Sequence, residues 1–313
     1  MICNAMPNFY FLFLLLSACT PPGQSTDGED VSGILYQAED YEMPYDLNDP
    51  DETFELPGKM EEVSGLTISP DGQHIIAIDD EDGELYFVSK KSGKLKAEVD
   101  FWRDGDYEGV EVVEDRVFVV KSKGTIYEIR NVSDDGQQTI VHKTFLSETN
   151  NVEGLAYDVP NNRLLLGCKG AAGSGDGFRQ KKAIYGFDLS TNKLNPEPVL
   201  LINQEKVKEY LDLHPALNEY EKLVEFFDPD GGEFSFSPSS IAIEPGTGNL
   251  FITSSVGKML MVTNTAGEIL YLEKLKKKVH RQPEGMAFDV DGTLYISNEA
   301  KSGDDAVIHR FDL

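Results

Sequence analysis

Apolar and polar residues alternate in short runs along most of the chain, and the runs come in pairs separated by a turn. One pair is "EEVSGLTISPDGQHIIAIDD", which begins at Glu61, and another is "PEGMAFDVDGTLYISNE", which begins at Pro283. Alternation with a period of two, rich in β-branched and aromatic residues, is typical of packed β-strands. The pattern therefore predicts an all-β fold assembled from hairpins.

The hairpin pattern repeats along the chain, with further copies that begin at Tyr107, Val152 and Pro238. The residues at which we align the copies are separated by 46, 45, 86 and 45 positions; they are Glu62, Glu108, Glu153, Ser239 and Glu284. A period near 45 is typical of a four-stranded propeller blade. The fifth copy ends after three strands, and we expect residues 51–59 to supply its fourth. This closure would remove the exposed sheet edges.

The interval of 86 residues requires an additional segment between the third and fourth copies. Residues 203–227 carry apolar side chains at helical spacing, including Leu217, Tyr220 and Val224. This spacing predicts a helical insertion over residues 203–233, between blades three and four. A degenerate sixth blade in the same interval is the competing interpretation, and the count favours a propeller of five blades.

The N-terminus carries an apolar run, residues 9–18, that is too short to span a bilayer as a helix. Residues 16–19, "LSAC", resemble the bacterial lipobox, although no Lys or Arg precedes the run; a buried strand is the alternative. The boundaries that follow are a lipoprotein signal peptide (1–18), lipidation at Cys19, a flexible tether (19–44) and one propeller domain (45–313). We therefore expect a lipid-anchored protein of the bacterial cell envelope, facing the periplasm or the exterior.

Charge narrows the classes of partner. The chain has 55 acidic against 28 basic residues and a net charge of −27. Such a charge repels nucleic acid and anionic membranes. We therefore expect no nucleic-acid partner and no membrane contact beyond the lipid. We also expect a monomer. Removal of Cys3 and lipidation of Cys19 would leave Cys168 alone, which excludes a disulfide framework or a zinc site.

Antiparallel pairing would bring the start of each first strand and the end of each second strand to one face of the ring, here called the channel face. The predicted metal ligands on it are Glu62, Glu108, Glu153, Glu284 and Asn298. Its other predicted residues are Asp79, Asp80, Lys121, Lys169, Ser239, Ser254 and Glu299. Two carboxylates about 4 Å apart repel by about 4 kcal/mol at an effective dielectric of 20, so the cluster needs a cation, paired lysines or raised carboxyl pKa values. Oxygen ligands favour Ca²⁺, with Mg²⁺ second; neutralisation by Lys121 and Lys169 is the alternative.

Several of these segments resemble the SdiA-regulated family of exported or lipid-anchored bacterial propellers. The likeness covers residues 45–313 and is carried by "LPGKMEEVSGLTISPDG" (56–72) and by the later starts "YEGV", "VEGLAYD" and "PEGMAFD". The "EG" starts are also similar to gluconolactonase and paraoxonase propellers, in which a comparable Glu holds a central metal. The resemblance implies a propeller with calcium binding, and it brings no established activity.

Two functions are consistent with this chemistry. The first is a binding module for a small-molecule or protein ligand, built around a central Ca²⁺ or similar cation. The second is a metal-dependent hydrolase of lactones or phosphoesters, in which the ion would activate water and Glu62, Glu284 or Asp80 would act as the base. An open coordination position at the ion would distinguish the hydrolase from the binding module.

Overall fold

The computed structural model describes residues 32–212, 236–301 and 303–313, which fold into five β-sheets arranged as a ring. Two strands precede the first complete sheet, β1 (Gly33–Gln37) and β2 (Glu52–Glu55). Blade one contains β3 to β6 (Val63–Ile68, His74–Asp79, Glu84–Ser89 and Leu95–Asp100). Blade two contains β7 to β10 (Tyr107–Val113, Arg116–Lys121, Ile126–Arg130 and Gln138–His142).

The remaining blades include two strands from the N-terminal segment. Blade three contains β11 to β15 (Val152–Asp158, Arg163–Cys168, Lys181–Asp188, Lys193–Leu194 and Leu200–Asn203), and helix α1 (Gln204–Asp212) follows it. Blade four contains β16 to β19 (Pro238–Ile243, Leu250–Ser254, Met259–Thr263 and Ile269–Lys274) with β1 on its outer edge. Blade five contains β20 to β22 (Pro283–Phe288, Leu294–Asn298 and Val307–Phe311), and β2 completes it. Short 3₁₀ turns lie at Gly58–Met60, Val159–Asn161 and Asp176–Phe178.

The first strand of every blade lies innermost. Strands β3, β7, β11, β16 and β20 each contact the next one around the ring, and β20 contacts β3. All neighbouring strands within a blade are antiparallel. The five inner strands therefore begin at the channel face and end together at the opposite face, called here the turn face.

Buried apolar side chains between neighbouring blades hold the ring together. Between blades two and three, for example, Val120 packs in one cluster with Leu155 and Leu166, all at most 5% exposed. The inner strands approach closely where they carry glycine. A Cβ on Gly65 would lie 2.7 Å from the backbone nitrogen of Val110, which is closer than real contacts allow. Glycine is therefore required by the packing of neighbouring inner strands at this position.

Each inner strand also carries a β-bulge near its start. The register with the second strand shifts between the following pairs of residues: Val63 and Leu66, Tyr107 and Gly109, Val152 and Gly154, Pro238 and Ser240, and Pro283 and Met286. A bulge re-aims the side chain at that point and is often found beside a functional site. The five bulges occupy equivalent places, so one set of five side chains is displaced together at the channel face.

The prediction of five blades with a closing N-terminal strand is confirmed, because β2 pairs with β22 from Glu52 to Glu55. The helical insertion is confirmed for α1, and the rest of residues 203–233 lies outside the described residues from residue 213 onward. The signal peptide and Cys19 also lie outside them. In the part of the chain that the structure describes, no helix is long and apolar enough to cross a membrane.

The predicted tether boundary at residue 44 is wrong for its last part. Residues 33–37 form β1, which pairs with β19, and Leu35 is 2% exposed within the blade-four core. The apolar sequence "GILYQ" explains the difference, since it offers a buried face to the sheet edge. Blade four is therefore closed on its outside by the chain that leads into the propeller.

Candidate functional site

The pairing of the first and second strands defines which residues are equivalent in the five blades at the channel face. The residues that pair with the ends of the second strands are Val63, Tyr107, Val152, Pro238 and Pro283. The residue that follows each of these is therefore equivalent in the five blades. We call this set of five residues the ring, and its members are Ser64, Glu108, Glu153, Ser239 and Glu284. The sequence predicts Glu62 in this ring. The prediction is wrong, because Glu62 precedes β3 and is exposed, while Ser64 is 3% exposed.

One lysine lies among the ring carboxylates. The Lys169 Nζ atom is 2.8 Å from Oε1 of Glu153, which also accepts a hydrogen bond of 2.8 Å from Asn151 Nδ2. Glu153 is 5% exposed, and its second oxygen, Oε2, is buried without a hydrogen-bond partner. Burial lowers the pKa of Lys169, but the charges of Glu153, Glu284 and Glu108 outweigh that effect, so its pKa is raised. Lys169 therefore acts as a central cation shared by three blades.

Lys169 does not balance the ring, even though the charge of Lys258 also lowers the pKa of Glu284. Burial, followed by the charge of Glu153, raises the pKa of Glu108 to about 9. Burial also raises the pKa of Glu153 to about 7 although Lys169 opposes it, and it raises the pKa of Glu284. These shifts mean that the ring would gain from further positive charge. The excess of carboxylate is a property of the folded state, because each group titrates near its ordinary value when exposed.

Three of the predicted site residues have a repeated structural role. The side chains of Asp79, Ser254 and Asn298 end the second strands of blades one, four and five. Each accepts a hydrogen bond from the backbone N–H just before the inner strand of its own blade, at 3.1, 3.0 and 3.2 Å. The Oδ1 atom of Asn298 is therefore engaged by the backbone, which makes Asn298 a weaker ligand for a metal than the sequence predicts.

Lys121 is the other residue whose predicted role changes. Its Nζ atom lies 4.3 Å from the centre of the Tyr107 ring and 5.8 Å from that of Tyr127. Lys121 aligns with Cys168 rather than with Lys169, since both pair with the first residue of an inner strand. Side chains alternate along a strand, so this offset of one residue turns Lys121 away from the ring. Lys121 therefore does not neutralise the ring carboxylates.

An acidic cleft opens on the same face at blades one and two, with a volume of about 880 Å³. Its charged lining residues are Lys59, Glu61, Glu62, Asp79, Asp80, Glu81, Asp82, Asp104 and Asp106. Lys59, the basic one among them, forms an ion pair with Glu98. The cleft therefore groups eight carboxyl groups with one lysine, which is already paired with Glu98.

Two carboxylates connect this acidic cleft to the ring. Burial, then the hydrogen bond with Glu62 and its charge, raises the pKa of Asp80 to about 7, and Asp80 Oδ1 is buried without a partner. Burial and the charges of Glu284 and Asp80 raise the pKa of Glu299 to about 8. The Nε2 atom of Gln282 donates a hydrogen bond to Glu299. The acidic cleft and the ring are therefore linked by carboxyl groups that hold their protons near neutral pH because they are buried and lack matched cations.

A resident calcium ion fits these residues poorly as they are placed. Among the residues of known position, no group of three or more His, Cys, Asp or Glu side chains is arranged to hold a metal ion. Lys169 occupies one oxygen of Glu153, and the backbone occupies Oδ1 of Asn298. The observed arrangement corresponds more closely to the alternative in which lysine neutralises the ring. Calcium binding stays a prediction.

The other end of the channel, at the turn face, is less polar. A pocket of about 560 Å³ lies where the five inner strands end, and it is lined mostly by apolar residues, with Val159 and Val290 exposed at 65% and 92%. Glu111 is the carboxylate beneath it. Its Oε1 accepts from Thr67 Oγ1 at 2.8 Å and from the Val112 N–H at 2.9 Å, and Oε2 accepts from the Tyr157 N–H at 3.1 Å. Glu111 therefore joins the inner strands of blades one, two and three.

A sequence model of one family matches residues 45–169 and 234–301, described as SdiA-regulated, which is more than half of the chain. The chain belongs to the SdiA-regulated family. The match contains the inner strands of all five blades, so it includes every ring residue of this SdiA-regulated protein.

Solved structures with similar folds include proteins of diverse activity. A chain of a nidogen/laminin complex is 15% identical over 78% of this chain and 74% of its own, with a TM-score of 0.49. A luciferin-regenerating enzyme is 12% identical over 85% and 96%, with a TM-score of 0.48. A gluconolactonase from Xanthomonas campestris is 11% identical over 80% and 72%, with a TM-score of 0.47. At these values the likenesses carry no argument about function.

Some residues of the site are not evident from the sequence. Ser64 occupies the ring position of blade one, and only an alignment on the glycine that follows it, rather than on the acidic residue, reveals this. Asp104 and Asp106 lie in the loop before β7 and were not considered, although the loop "RDGDYEG" has an acidic pattern. Residues 79–82, "DDED", carry the strongest signal of the acidic cleft, and half of them were identified.

Proposed function

We propose that this protein is an exported, lipid-anchored binding propeller whose channel face takes up a cationic ligand. The ligand class we favour is an organic cation, such as a polyamine or a lysine side chain of a partner. The observation that carries the proposal is the acidic cleft of about 880 Å³ with eight carboxylates and one lysine that is already paired. A cleft lined by charges of one sign concentrates ligands of the opposite sign.

The ring supports the same assignment. Lys169 demonstrates that a primary ammonium group is accommodated against Glu153, at 2.8 Å. The second oxygen of Glu153 is buried and unpartnered, and the carboxyl groups of Glu108 and Glu299 have pKa values raised to about 9 and about 8. A cationic ligand would stabilise the ionised forms of these groups, so binding and proton release would be coupled.

Calorimetric titration with spermidine tests the proposal. We expect heat of binding that decreases with added salt and affinity that increases from about pH 6 to about pH 8.5, as the raised carboxyl groups ionise. A double variant, Asp80→Asn with Asp104→Asn, removes two charges of the acidic cleft. We expect about ten-fold weaker binding, since each ionic contact near the surface contributes up to about 1 kcal/mol.

The matched control removes two exposed carboxylates from the turn-face side, Asp115→Asn with Asp134→Asn. It should leave affinity for spermidine unchanged. Equal losses in both variants, or no binding at any pH, would contradict the proposal. The same protein is titrated with Ca²⁺ and with Mg²⁺ to measure metal binding. It is also assayed for turnover of a panel of lactones and phosphoesters. Metal-dependent turnover that Glu284→Gln abolishes would support the hydrolase instead.

A further inference from the structure

This acidic protein contains a stretch that is strongly basic. Residues 274–281, "KLKKKVHR", include five Lys and Arg residues and no acidic residue, in a chain of net charge −27. The stretch connects the last strand of blade four to the inner strand of blade five, so it lies on the channel face. Lys258 and Lys301, in the loops between the second and third strands of the same two blades, lie on that face as well.

These residues are close enough to affect one another. Burial, followed by the charge of Lys301, and with Lys274 and Lys277 contributing, lowers the pKa of Lys258 to about 8. The crowding of like charges identifies a shared cationic surface. We call it the basic edge, and its members are Lys258, Lys274, Lys276, Lys277, Lys278, Arg281 and Lys301. Arg281 forms an ion pair with Asp304 at 2.6 Å, and Lys276, Lys277 and Lys278 are exposed.

The backbone of the basic edge is held firmly on the N-terminal segment. The backbone N–H of Lys276 donates to Asn48 Oδ1 at 3.0 Å, and Asn48 Nδ2 donates to Glu273 at 2.9 Å. His280 is fully buried, and its Nε2 lies 2.6 Å from the carbonyl oxygen of Leu47. The lysine side chains therefore project from a fixed loop, so little backbone order has to be gained when they meet a partner.

The basic edge is also the place where the chain enters the propeller. Gly33, the first residue of β1, pairs with Lys274. Thirteen residues separate Cys19 from Gly33, and they can span at most about 45 Å. A lipid on Cys19 would therefore keep the basic edge within that distance of the membrane. Other faces of the propeller would lie further from the attachment point.

We propose that the basic edge docks on the anionic lipid surface to which the N-terminus is tethered. One acyl signal gives only marginal membrane attachment, and a polybasic patch is a second signal of the required kind. The net charge of the protein does not prevent this contact, because charges separated by more than a Debye length of about 8 Å are largely screened at physiological salt. The acidic cleft of the same face belongs to blades one and two, whereas the basic edge belongs to blades four and five. The assignment revises the expectation, drawn from net charge, that only the lipid contacts the membrane.

Vesicle co-sedimentation tests the docking without the lipid. The chain from Thr20 onward retains every described strand, since the first begins at Gly33. We expect it to sediment with vesicles containing about 30% phosphatidylglycerol, and far less with phosphatidylcholine alone. The triple variant Lys276→Glu, Lys277→Glu, Lys278→Glu should bind the anionic vesicles about 100-fold more weakly.

The control is a second triple variant with the same change of net charge, Lys91→Glu, Lys94→Glu, Lys96→Glu, in exposed positions of blade one. It should bind as the parent chain does. Equal loss in both triple variants, no preference for anionic lipid, or no sedimentation would overturn the proposal. So would binding to polyglutamate without binding to vesicles, which would assign the basic edge to an acidic protein. The biological role of the docking rests on the proposed lipid anchor. The vesicle measurement tests the basic edge separately, because it uses a chain without the lipid and does not involve spermidine.

Discussion

The two ends of the channel are built from the same five inner strands but treat carboxylates differently. At the turn face, Glu111 has both oxygens occupied by donors from three blades, and Asp289 forms an ion pair with Lys90. At the channel face, Glu153 and Asp80 each retain a buried oxygen without a partner. Glu111 and Asp289 therefore hold blades together at the turn face, whereas Glu153 and Asp80 each keep one oxygen without a protein partner at the channel face.

The difference arises from local geometry rather than from composition. Each inner strand has a β-bulge at its ring residue, and three of these residues, Glu108, Glu153 and Glu284, are close enough for the charge of one to raise the pKa of another. The ends of the inner strands carry no such set of like charges; Thr67 and two backbone N–H groups surround Glu111 instead. Buried polar groups are normally paired, and at the channel face the unpaired oxygens of Glu153 and Asp80 coincide with raised carboxyl pKa values, which is the combination expected of a candidate site.

The largest effect is expected from removal of the ammonium group that is paired with Glu153, in Lys169→Met. We expect a loss of about 3–5 kcal/mol of unfolding free energy near pH 8, because Glu153 and its neighbours would remain buried without a cation. The loss should shrink below about pH 6, where carboxyl groups with raised pKa values are protonated. Urea unfolding at both pH values measures this.

Lys169→Arg is the control for that variant, since it keeps the charge and should lose little stability. A loss in Lys169→Met that does not change with pH would show that packing of the lysine stem, rather than its charge, stabilises the ring. The contrast between the two ends of the channel would then be weaker than proposed.

The second effect concerns the turn face. Glu111→Ala should lower the unfolding free energy by about 2–4 kcal/mol, since it leaves donors of Thr67, Val112 and Tyr157 without an acceptor. Burial raises the pKa of Glu111 to about 7, although its three hydrogen bonds oppose the shift. A carboxyl group with a raised folded-state pKa contributes stability below its unfolded pKa, and this contribution is lost as the pH rises toward 7.

Glu111→Gln separates the two contributions, because glutamine cannot ionise and keeps one acceptor. Its stability should change less than that of the parent chain between about pH 4.5 and about pH 7. Spermidine binding should be unchanged in both variants. A change in spermidine affinity would show that the two ends of the channel are coupled.

Comparison of sequence with structure shows which positions are constrained. The repeat of 45 residues and the closing strand were predictable, since alternation and period reflect packing that every blade shares. The ring was misaligned at Glu62 because "EEVSG" offers acids before a glycine at a different spacing from "EG". Gly65 is the constrained residue, since a Cβ there would overlap Val110, and an alignment on glycine places Ser64 in the ring.

Lys121 could not be placed by pattern alone, for a related reason. It ends its strand as Cys168 does, and Lys169 lies one residue later, so the side chains of the two lysines point in different directions. The acidic cleft depends on loops of blades one and two whose approach is a tertiary property. Strand periodicity is thus readable from sequence, but side-chain direction at strand ends requires the register.

The smallest effect is also the one with an unusual sign. Asp80→Asn should raise the unfolding free energy by about 0.5–1 kcal/mol above pH 7. The effect is small because Asp80 is partly exposed and solvent screens its charge. Burial and Glu62 raise the pKa of Asp80 to about 7, so the fold favours the protonated form, and stability is lost as the pH rises through that value. Asparagine does not ionise and avoids this loss, so the gain should vanish near pH 4.

Asp115→Asn provides the matched change on the turn-face side and should stay within about 0.5 kcal/mol of the parent chain at either pH. If Asp80→Asn lowers stability at every pH, then Asp80 is a structural residue like Glu111, and the two ends of the channel do not differ as proposed. If Asp80→Asn raises stability while it weakens spermidine binding, then Asp80 lowers the unfolding free energy of the protein and contributes to ligand binding. A stability loss maintained for binding is the behaviour expected of a functional site.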